Sequence, residues 1–341
     1  MQSIAFYYPE GHEAHYETGH PERPARVETI KSTLEEAGFW KKGVQIPTTT
    51  VPTPILENIH QPTYLSRLQE ASQHGRHLDT DTYTTPSSWE LALKAAGGGI
   101  AVAEAVWSRQ ANRGFALTRP PGHHATSGRG MGFCLLNNVA LAAEYLLQTH
   151  HARHISILDI DLHHGNGTQD IFYHRGDVQY LSTHQSPLYP GTGRLYETGT
   201  GPGEKSTVNL PLPPMSGDLA FITALDTLLL PLMKRFAPEM VLVSFGFDPH
   251  WRDPLGYLLL SADTFNKMFS RLCEWADENC QGRLAIFLEG GYDLEAGAAC
   301  SLAIATALFN QPFEDPLGPS PHPEGSIWQA TLSEACQIWD V

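Results

Sequence analysis

The stretch Ile157–Gly167, ILDIDLHHGNG, decides how the fold of this chain is interpreted. It starts like an apolar buried strand and runs into two aspartates, two histidines and two glycines. Unpaired charge is costly in a protein interior, so a buried strand with this ending requires an explanation. Three explanations compete: the aspartates cap a following helix, the histidines are ordinary surface groups, or the stretch binds a metal ion.

Length and hydropathy indicate a globular protein with a sizeable core. The chain has 341 residues, of which 41% are hydrophobic, and its mean hydropathy is -0.25. Its apolar runs fall short of the roughly 20 residues that span a bilayer, and its opening residues, MQSIAFYYPEGH, do not resemble a signal peptide. We therefore expect a cytoplasmic protein without a membrane partner, with residues 1–341 as one domain and residues 310–341 wrapping its surface.

Charge and cysteine content narrow the function classes. The net charge of -15 disfavours binding to nucleic acid, because phosphate contacts depend on Lys and Arg. An acidic surface suits cationic substrates such as lysine-rich peptides or polyamines, although it also serves solubility alone. The five cysteines form no CxxC pair, which argues against a disulfide framework and against a thiolate zinc site.

Short apolar runs alternate with longer helical patterns, which is typical of βαβ units and a parallel sheet. The pattern predicts strands at Ser3–Tyr8, Gly114–Arg119, Ile155–Asp161, Val178–Thr183, Met240–Phe247 and Arg283–Gly290. It predicts helices at Pro24–Ala37, Ser87–Arg109, Leu135–Thr149 and Glu295–Phe309, and two more that begin near Ser216 and Ser261.

Four of the predicted strands run directly into polar clusters. These clusters are TRPPGHH (118–124), DIDLHHGNG (159–167), SFGFDPHWRDP (244–254) and LEGGYD (288–293). In an open parallel sheet, ligands bind at the carboxyl ends of the strands. Helix capping accounts for one or two such clusters but not for all of them, so we predict that they meet in one cleft.

One histidine and two carboxylates are the predicted metal ligands. Asp161 and His163 stand two positions apart in an extended segment and therefore share a face. Asp248 follows another predicted strand and supplies the third ligand. A histidine and two carboxylates that leave one coordination position open suit catalytic Zn²⁺ or Fe²⁺.

Motifs spread over residues 19–294 resemble those of the zinc-dependent histone deacetylase and acetylpolyamine amidohydrolase superfamily. They are GHPERPAR (19–26), RPPGHHA (119–125), GFCLLNN (132–138), DIDLHHGNGTQDIFY (159–173), PGTG (190–193), GFDPHWRDPLG (246–256) and LEGGYDL (288–294). HPERP and HHGNG are more similar to the bacterial and class II branch than to class I. The resemblance implies a three-layer α/β/α fold of the arginase-deacetylase type with an eight-stranded, mostly parallel sheet.

The resemblance also implies roles for the polar and aromatic residues of these motifs. Zinc is bound by Asp161, His163 and Asp248; His123 and His124 flank the metal-bound water; Tyr292 donates to the substrate carbonyl. Gly132, Phe133 and Tyr189 line the channel for the acyl-lysine stem, and Leu255 is assigned to the same channel. We expect Asp81 at its rim, with a turn that precedes a helix as the alternative. A structural potassium ion is implied at Asp159 and Ser182, with the main-chain carbonyls of Asp161, His163 and Thr183.

The chemistry of amide hydrolysis supports these roles. An amide is a poor electrophile, so its hydrolysis needs an activated water and a donor for the oxyanion. A histidine accepts the proton of the water and passes it to the leaving amine. We expect Asp159 to orient His123 and Asn166 to orient His124. Because Asn166 carries no charge, His124 is expected to be the less basic of the two and to act as the general base.

Other histidines near these motifs receive ordinary interpretations. We expect His12, His15 and His20 at surface or turn positions, with the mouth of the cleft as the alternative. His164 is expected to pack locally, and His250 to lie at the edge of the pocket.

Other functions stay open at this point. Deacetylation of polyamines is disfavoured, but not excluded, by Leu255, where some polyamine-selective relatives carry an acidic gatekeeper; longer acyl chains are also open. A ureohydrolase is disfavoured, because it needs aspartates for a second metal where this chain has Gly165 and His250. A non-catalytic acyl-lysine-binding module is disfavoured too, because it would have lost a catalytic histidine or tyrosine, and His123, His124 and Tyr292 are all present. We predict a zinc-dependent deacetylase that acts on an acetylated lysine peptide, protein or polyamine, alone or as a homo-oligomer.

Overall fold

A computed structural model describes residues 3–341 of the chain. Its strands are β1 Ile4–Tyr7, β2 Val44–Ile46, β3 Arg113–Ala116, β4 Ile155–Asp159, β5 Val178–Gln185, β6 Thr207–Leu212, β7 Met240–Phe245 and β8 Leu284–Leu288. Within the described residues they form one eight-stranded sheet in the order β2-β1-β3-β8-β7-β4-β5-β6. Every neighbouring pair in that order is parallel.

Apart from the connection between β5 and β6, which contains only the 3-10 turn Gly201–Gly203, successive strands are joined by α-helices, as is usual in a parallel sheet. They are α1 Ala25–Glu36, α2 Phe39–Lys42, α3 Thr53–Ile59, α4 Pro62–His74, α5 Ser88–Trp107, α6 Asn138–His150, α7 Asn166–Phe172, α8 Asp218–Ala224, α9 Leu230–Phe236, α10 Ala262–Asn279, α11 Leu294–Leu308 and α12 Trp328–Trp339. A π-helical turn, Leu225–Leu229, joins α8 to α9. Across residues 3–341, none of the helices combines the length and the apolar character needed to cross a membrane.

The sheet separates two hydrophobic clusters, because successive side chains of a strand point to opposite faces. In β8, Leu284, Ile286 and Leu288 belong to one cluster, whereas Ala285 and Phe287 belong to the other. Helices α1, α2 and α8–α12 contribute to the first cluster, and α3–α7 contribute to the second. The predicted three-layer α/β/α class is therefore confirmed, with a sheet that is parallel throughout.

Two strands, β2 and β6, were absent from the sequence-based prediction. β2 has three residues and is largely exposed, so it carries no apolar signal. β6 contains Pro211, which argues against a central strand because proline cannot donate to a strand ladder. Both strands lie at the edges of the sheet, where short and proline-containing strands are tolerated.

Residues 310–341 include a helix that the sequence analysis did not predict. In α12, Trp328, Leu332, Ala335 and Trp339 are buried and recur every three or four positions, which is the spacing of one helical face. These side chains join the first hydrophobic cluster. The end of the chain thus contributes to the core as well as to the surface.

The strand order places the polar clusters side by side. β3, β8, β7 and β4 are consecutive in the sheet, and these are the strands that run into the four polar clusters. In a parallel sheet the carboxyl ends of neighbouring strands meet at one edge. The fold therefore brings the four clusters to a common place, as the cleft prediction requires.

Candidate metal centre and active site

The predicted metal ligands lie together at the carboxyl ends of β4 and β7. Each of Asp161, His163 and Asp248 offers one ligand atom, and these atoms lie within 4.8 Å of one another. His163 Nδ1 is 3.3 Å from Asp161 Oδ1 and 3.3 Å from Asp248 Oδ2. Both carboxylates are fully buried or nearly so. The three side chains thus face one small space, as expected for ligands of a single ion.

Main-chain donors hold the two carboxylates in place. Gly290 N donates to Asp161 Oδ2 at 2.8 Å, and Leu162 N donates to Asp248 Oδ1 at 3.1 Å. Among the described residues, Asp248 Oδ2 has no hydrogen-bond partner. A Cβ atom at Gly246 would lie 2.0 Å from Asp161 Oδ2, so only glycine leaves room for this carboxylate. The unpartnered oxygen is free to bind a cation.

The electrostatics of this group also favour a cation. Burial and the neighbouring carboxylate of Asp161 raise the pKa of Asp248. Burial opposes charge on His163, but the adjacent carboxylates of Asp161 and Asp248 outweigh it and raise its pKa to about 9. Two anionic carboxylates so close together in the interior repel each other, and a divalent cation removes that repulsion. The oxygen and nitrogen donors fit the preferences of Zn²⁺.

His123 and His124 are both buried and stand beside the metal ligands, with ring centroids 4.0 Å apart. His123 Nδ1 lies 3.1 Å from Asp159 Oδ2, and His124 Nδ1 lies 2.8 Å from Asn166 Oδ1. Both contacts are those expected from the sequence. His123 Nε2 is 3.7 Å from Asp161 Oδ1, so the pair adjoins the predicted ligand set.

The two imidazoles have pKa values displaced in opposite directions. Burial opposes the charged form of His123, but the carboxylates of Asp161 and Asp159 outweigh it and raise its pKa to about 10. For His124, burial is reinforced by the nearby His123 and His163, and its pKa falls well below the ordinary value. The arrangement therefore favours a charged His123 next to a neutral His124.

A buried carboxylate that sequence reasoning missed supports the turn carrying this pair. Glu289 Oε2 accepts hydrogen bonds from Gly122 N at 2.6 Å and from His123 N at 3.1 Å. Glu289 Oε1 accepts from Ser244 Oγ at 3.0 Å. Burial raises the pKa of Glu289 to about 7. The only sequence signal was its place in LEGGYD, directly after β8.

Tyr292 lies on the loop between β8 and α11 and is 8% exposed. Its ring lies against Arg26, with the guanidinium carbon 5.0 Å from the ring centroid, and meets Phe133 edge-on at 5.7 Å. Burial raises the pKa of its hydroxyl, which therefore stays protonated and able to donate. Tyr292 N donates to Asp253 Oδ2 at 2.6 Å, a contact that sequence reasoning also missed.

The predicted channel residues Gly132, Phe133 and Tyr189 lie beside His124 and Tyr292. Tyr189 is 39% exposed and its ring meets His124 edge-on at 5.2 Å. Gly132 has a φ of +56°, and a Cβ at this position would lie 2.5 Å from the His124 ring. Phe133, also with positive φ, packs against Tyr292 and against His20, whose ring centroid is 4.6 Å away. His20 therefore contacts a predicted channel residue, which is consistent with the alternative that it lies at the mouth of the cleft.

Asp81 is linked to Phe133 through its neighbours His20 and Thr82, whereas Leu255 contacts the buried carboxylate of Asp253. The main-chain oxygen of Asp81 is 3.0 Å from His20 Nε2, and its neighbour Thr82 accepts from Phe133 N at 3.1 Å. Burial and the nearby Asp79 raise the pKa of Asp81. Leu255 is half-buried, and its main-chain N donates to Asp253 Oδ1 at 3.0 Å.

The residues implied for potassium are neighbours in the sheet. Asp159 of β4 stands opposite Ser182 of β5 in the strand register. Asp159 Oδ1 accepts from Asp161 N at 3.2 Å, and Ser182 Oγ is 2.9 Å from His184 Nδ1. Within the part of the chain that the structure describes, Thr183 Oγ1 has no hydrogen-bond partner.

The surface part of the expectation for His12 and His15 is wrong because both residues are buried, whereas the turn part agrees with the 3-10 turn His12–Ala14 and its C-cap His15. Their main-chain oxygens each accept a hydrogen bond from the Arg119 guanidinium at 2.6 Å. Arg119 Nε also donates to Glu22 Oε1 at 2.7 Å, and Arg26 Nη1 donates to the same oxygen at 3.1 Å. Buried donors without partners are costly, so this polar network holds the amino-terminal loop against the strand ends.

A family model for the histone deacetylase domain matches residues 20–308. This match spans most of the chain and includes the metal, histidine and tyrosine positions described above. The chain belongs to the histone deacetylase family. The family predicted from the sequence motifs is therefore confirmed.

Similar proteins of this histone deacetylase family come from archaea, plants and bacteria. A probable deacetylase of Archaeoglobus fulgidus is 42% identical over 81% of this chain and 77% of its own length. Histone deacetylase 14, chloroplastic, of Arabidopsis thaliana is 41% identical over 83% of this chain and 71% of its own length. A histone deacetylase-like amidohydrolase of Pseudomonas aeruginosa is 35% identical over 85% of this chain and 77% of its own length.

A solved structure gives the same fold for this histone deacetylase family member. The crystal structure of the HDA15 HD domain superposes with a TM-score of 0.90 at 33% identity, covering 99% of this chain and 94% of that one. The fold class predicted from the sequence is confirmed by this agreement.

Proposed function

We propose that this chain is a zinc-dependent amidohydrolase that removes acetyl or related acyl groups from the ε-amine of lysine side chains. One observation carries the proposal: a two-carboxylate, one-histidine ligand group adjoins a buried histidine pair with unlike partners and a buried tyrosine. Each part supplies one requirement of amide hydrolysis. The membership of the chain in the histone deacetylase family supports the same reaction class.

Asp161, His163 and Asp248 are the residues proposed to hold zinc. When bound, zinc polarises the scissile carbonyl and lowers the pKa of a coordinated water to about 7. Main-chain donors hold the two carboxylates of this group in place, because Gly290 N donates to Asp161 and Leu162 N donates to Asp248. Structural potassium is proposed at Asp159 and Ser182, with the main-chain carbonyls of Asp161, His163 and Thr183.

His124 is the proposed general base. Its Nδ1–H donates to Asn166 Oδ1, which leaves Nε2 as the basic nitrogen of the ring. A low pKa keeps this imidazole neutral at physiological pH, so that it accepts the proton of the attacking water. The same nitrogen then returns the proton to the leaving amine, which departs as the amide C–N bond breaks.

His123 and Tyr292 are proposed to stabilise the developing oxyanion. The contact between His123 and Asp159 favours an imidazolium, whose positive charge lies beside the reacting carbonyl. The Tyr292 hydroxyl remains protonated and donates to the oxygen that becomes negative. Both groups are buried, so they are in place before the reaction begins and are little screened by water.

The channel sets the substrate class of the proposal. Phe133 and Tyr189 offer two aromatic walls for an aliphatic stem, Asp81 supplies a carboxylate at the rim, and Leu255 keeps its edge apolar. The net charge of -15 attracts basic peptides and polyamines alike. An acetylated lysine peptide is the proposed substrate because Leu255 offers no charge to a distal amine of a polyamine.

The test is acetate release by the zinc-loaded protein from an acetyl-lysine peptide and, in parallel, from an acetylated polyamine. We expect turnover of the peptide, its loss after treatment with a chelator, and recovery when zinc is restored. Asp248→Asn is the matched control, because it removes one ligand while keeping the size of the side chain. Preference for the polyamine would move the proposal to that substrate. If the zinc-bound protein hydrolysed neither acetyl nor longer acyl substrates, the result would instead favour a non-catalytic acyl-lysine-binding module.

The proposal also covers the domain organisation of the chain, its location and its partners. The residues of the proposed site extend from Asp81 to Tyr292 along the chain and follow strands on both sides of β8, so the chain is proposed to act as one catalytic domain. A cytoplasmic location stays a prediction, since two similar proteins carry the word chloroplastic in their names. No contact with nucleic acid is proposed, in line with the acidic charge.

A further inference from the structure

Asp253 connects two loops of the site through a single carboxylate. Its Oδ2 accepts hydrogen bonds from Tyr292 N at 2.6 Å and Asp293 N at 3.3 Å. Its Oδ1 accepts from Leu255 N at 3.0 Å. The side chain is 6% exposed and does not belong to the ligand group of Asp248. The loop after β7, which carries Leu255, is thereby tied to the loop after β8, which carries Tyr292.

The Tyr292 loop needs such an anchor. It is preceded by Gly290 and Gly291, and Gly291 has a φ of +108°, a conformation that favours glycine. Glycine leaves the backbone free to rotate, so the two glycines do not by themselves fix the position of the Tyr292 backbone. The ring contacts with Arg26 and Phe133 restrict the side chain, and Arg26 Nε also donates to Gly291 O at 2.5 Å, on one side of the Gly291–Tyr292 peptide unit. The hydrogen bond from Tyr292 N to Asp253 holds the other side of this peptide unit, from which the phenol extends.

We propose that Asp253 is a positioning residue that sets the Tyr292 hydroxyl relative to the metal ligands and couples it to the rim residue Leu255. This inference rests on the proposed function. The hydrogen bonds of Asp253 go to main-chain N–H groups and not to the predicted ligands or the Tyr292 hydroxyl, so we expect it to act through the loops it holds. An oxyanion donor must be aimed at the transition state with an accuracy well below an ångström, and Asp253 supplies that accuracy.

A carboxylate is the side chain that this position requires. Three main-chain N–H groups point at its two oxygens, and neither oxygen carries a hydrogen when the group is ionised. An asparagine has the same shape, but its NH₂ group has to face at least one of the N–H donors. Asp253→Asn therefore breaks part of the anchor with almost no change in volume.

The experiment compares kcat and KM on an acetyl-lysine peptide for wild type, Asp253→Asn, Tyr292→Phe and the double variant. We expect Asp253→Asn to lower kcat by about 10- to 100-fold, the effect of a misplaced catalytic group, with KM changed by less than about threefold and zinc retained. In the Tyr292→Phe background, the same change is expected to cost less than about threefold, because no hydroxyl remains to be positioned.

Asp315→Asn is the matched control. Asp315 also accepts three main-chain N–H groups from two segments, those of Leu317, Gly318 and Asp263. These bonds hold the chain after α11 to the start of α10, so kcat is expected to stay within about threefold of wild type. Should Asp253→Asn not fold, Asp253→Glu keeps the charge but displaces the acceptors, and the same fall in kcat at constant KM is expected.

Amide hydrogen exchange provides a readout that does not depend on turnover. Asp253→Asn is expected to speed exchange at Tyr292 and Asp293, whereas Asp315→Asn leaves these two amides unchanged. Unchanged exchange, multiplicative losses in the double variant, or loss of zinc in Asp253→Asn would each overturn the inference. A wild type without turnover contradicts the proposed function, while the exchange result still decides whether Asp253 holds the loop.

Discussion

The replacement Asn166→Asp tests the assignment of the general base most directly. Asn166 Oδ1 lies 2.8 Å from His124 Nδ1, and the substitution puts a carboxylate oxygen in the same place. A negative charge at this distance favours the imidazolium, so the pKa of His124 rises. The general base has to be neutral to accept a proton, and its activity is lost as the pH falls through its pKa. A raised pKa therefore moves the acidic limb of the pH–rate profile to higher pH.

The size of the shift follows from the distance and from a comparison within the molecule. At an effective dielectric of about 20, unit charges about 3 Å apart attract by roughly 5 kcal/mol. The cost of burying the new carboxylate offsets much of this, leaving a typical shift of about 1–3 pKa units. His123, 3.1 Å from Asp159, has its pKa raised to about 10, but Asp161 is its largest source of attraction. Because zinc offsets the charge of Asp161, we expect a shift of about 1–2 units for Asn166→Asp.

The assay is kcat/KM for acetate release from an acetyl-lysine peptide, measured from acidic to basic pH with zinc content monitored throughout. We expect Asn166→Asp to lose activity at neutral pH and to approach the wild-type rate at higher pH. Asn166→Ala is the control, because it removes the acceptor without adding charge and lowers the rate without moving the limb upward. An acidic limb that stays in place in Asn166→Asp, with zinc bound, would refute the reasoning that His124 is the base.

Further substitutions test the ligands and the buried charges. His124→Ala is expected to abolish turnover while zinc remains bound, and loss of the metal in elemental analysis would count against its role as a base. Asp248→Asn is expected to weaken zinc binding in competition with a chelator, because a neutral amide replaces an anionic ligand; an unchanged affinity would contradict the ligand assignment. Glu22→Gln leaves Arg26 and Arg119 buried without a carboxylate and is expected to cost about 3–5 kcal/mol in urea unfolding at neutral pH. Burial opposes the charge of Glu22, but these arginines lower its pKa to about 2. Its stabilisation is therefore present above the ordinary carboxyl pKa and is lost as the pH falls toward 2. If the difference in unfolding free energy between Glu22→Gln and wild type stayed constant down to that pH, this explanation would be excluded.

Much of the site could be predicted because each of its parts has a local signature. Asp161 and His163 are two positions apart, and their common face depends only on the extended backbone. Asp248 and Tyr292 each follow an apolar strand, and a parallel sheet brings such strand ends to one edge. The partners of the histidine pair were also expected, since Asp159 and Asn166 belong to the same motif.

The buried supporting carboxylates could not be predicted. In the sequence, Glu22 and Asp253 look like surface acids, and Glu289, although it ends an apolar strand, gives no indication of the partners it binds. Glu22 pairs with Arg119 97 residues away, Asp253 with Tyr292 39 residues away, and Glu289 with His123 166 residues away. Such partners become neighbours only when the strands are assembled, and burial itself displaces their pKa values. The edge strands β2 and β6 were missed for other reasons: β2 is short and largely exposed, and β6 contains Pro211.

The sequence by itself determined which atoms are available to bind a metal and move a proton, and which segments form the central strands and main helices. These are properties of residue type and of short-range periodicity. Only the tertiary structure decided how the available groups behave. His123 and His124 are adjacent and chemically identical, yet one lies among the carboxylates of Asp161 and Asp159 and the other beside Asn166 and two imidazoles. Their opposite proton affinities arise from charges that folding brings within a few ångströms of each ring, in an interior that screens them weakly.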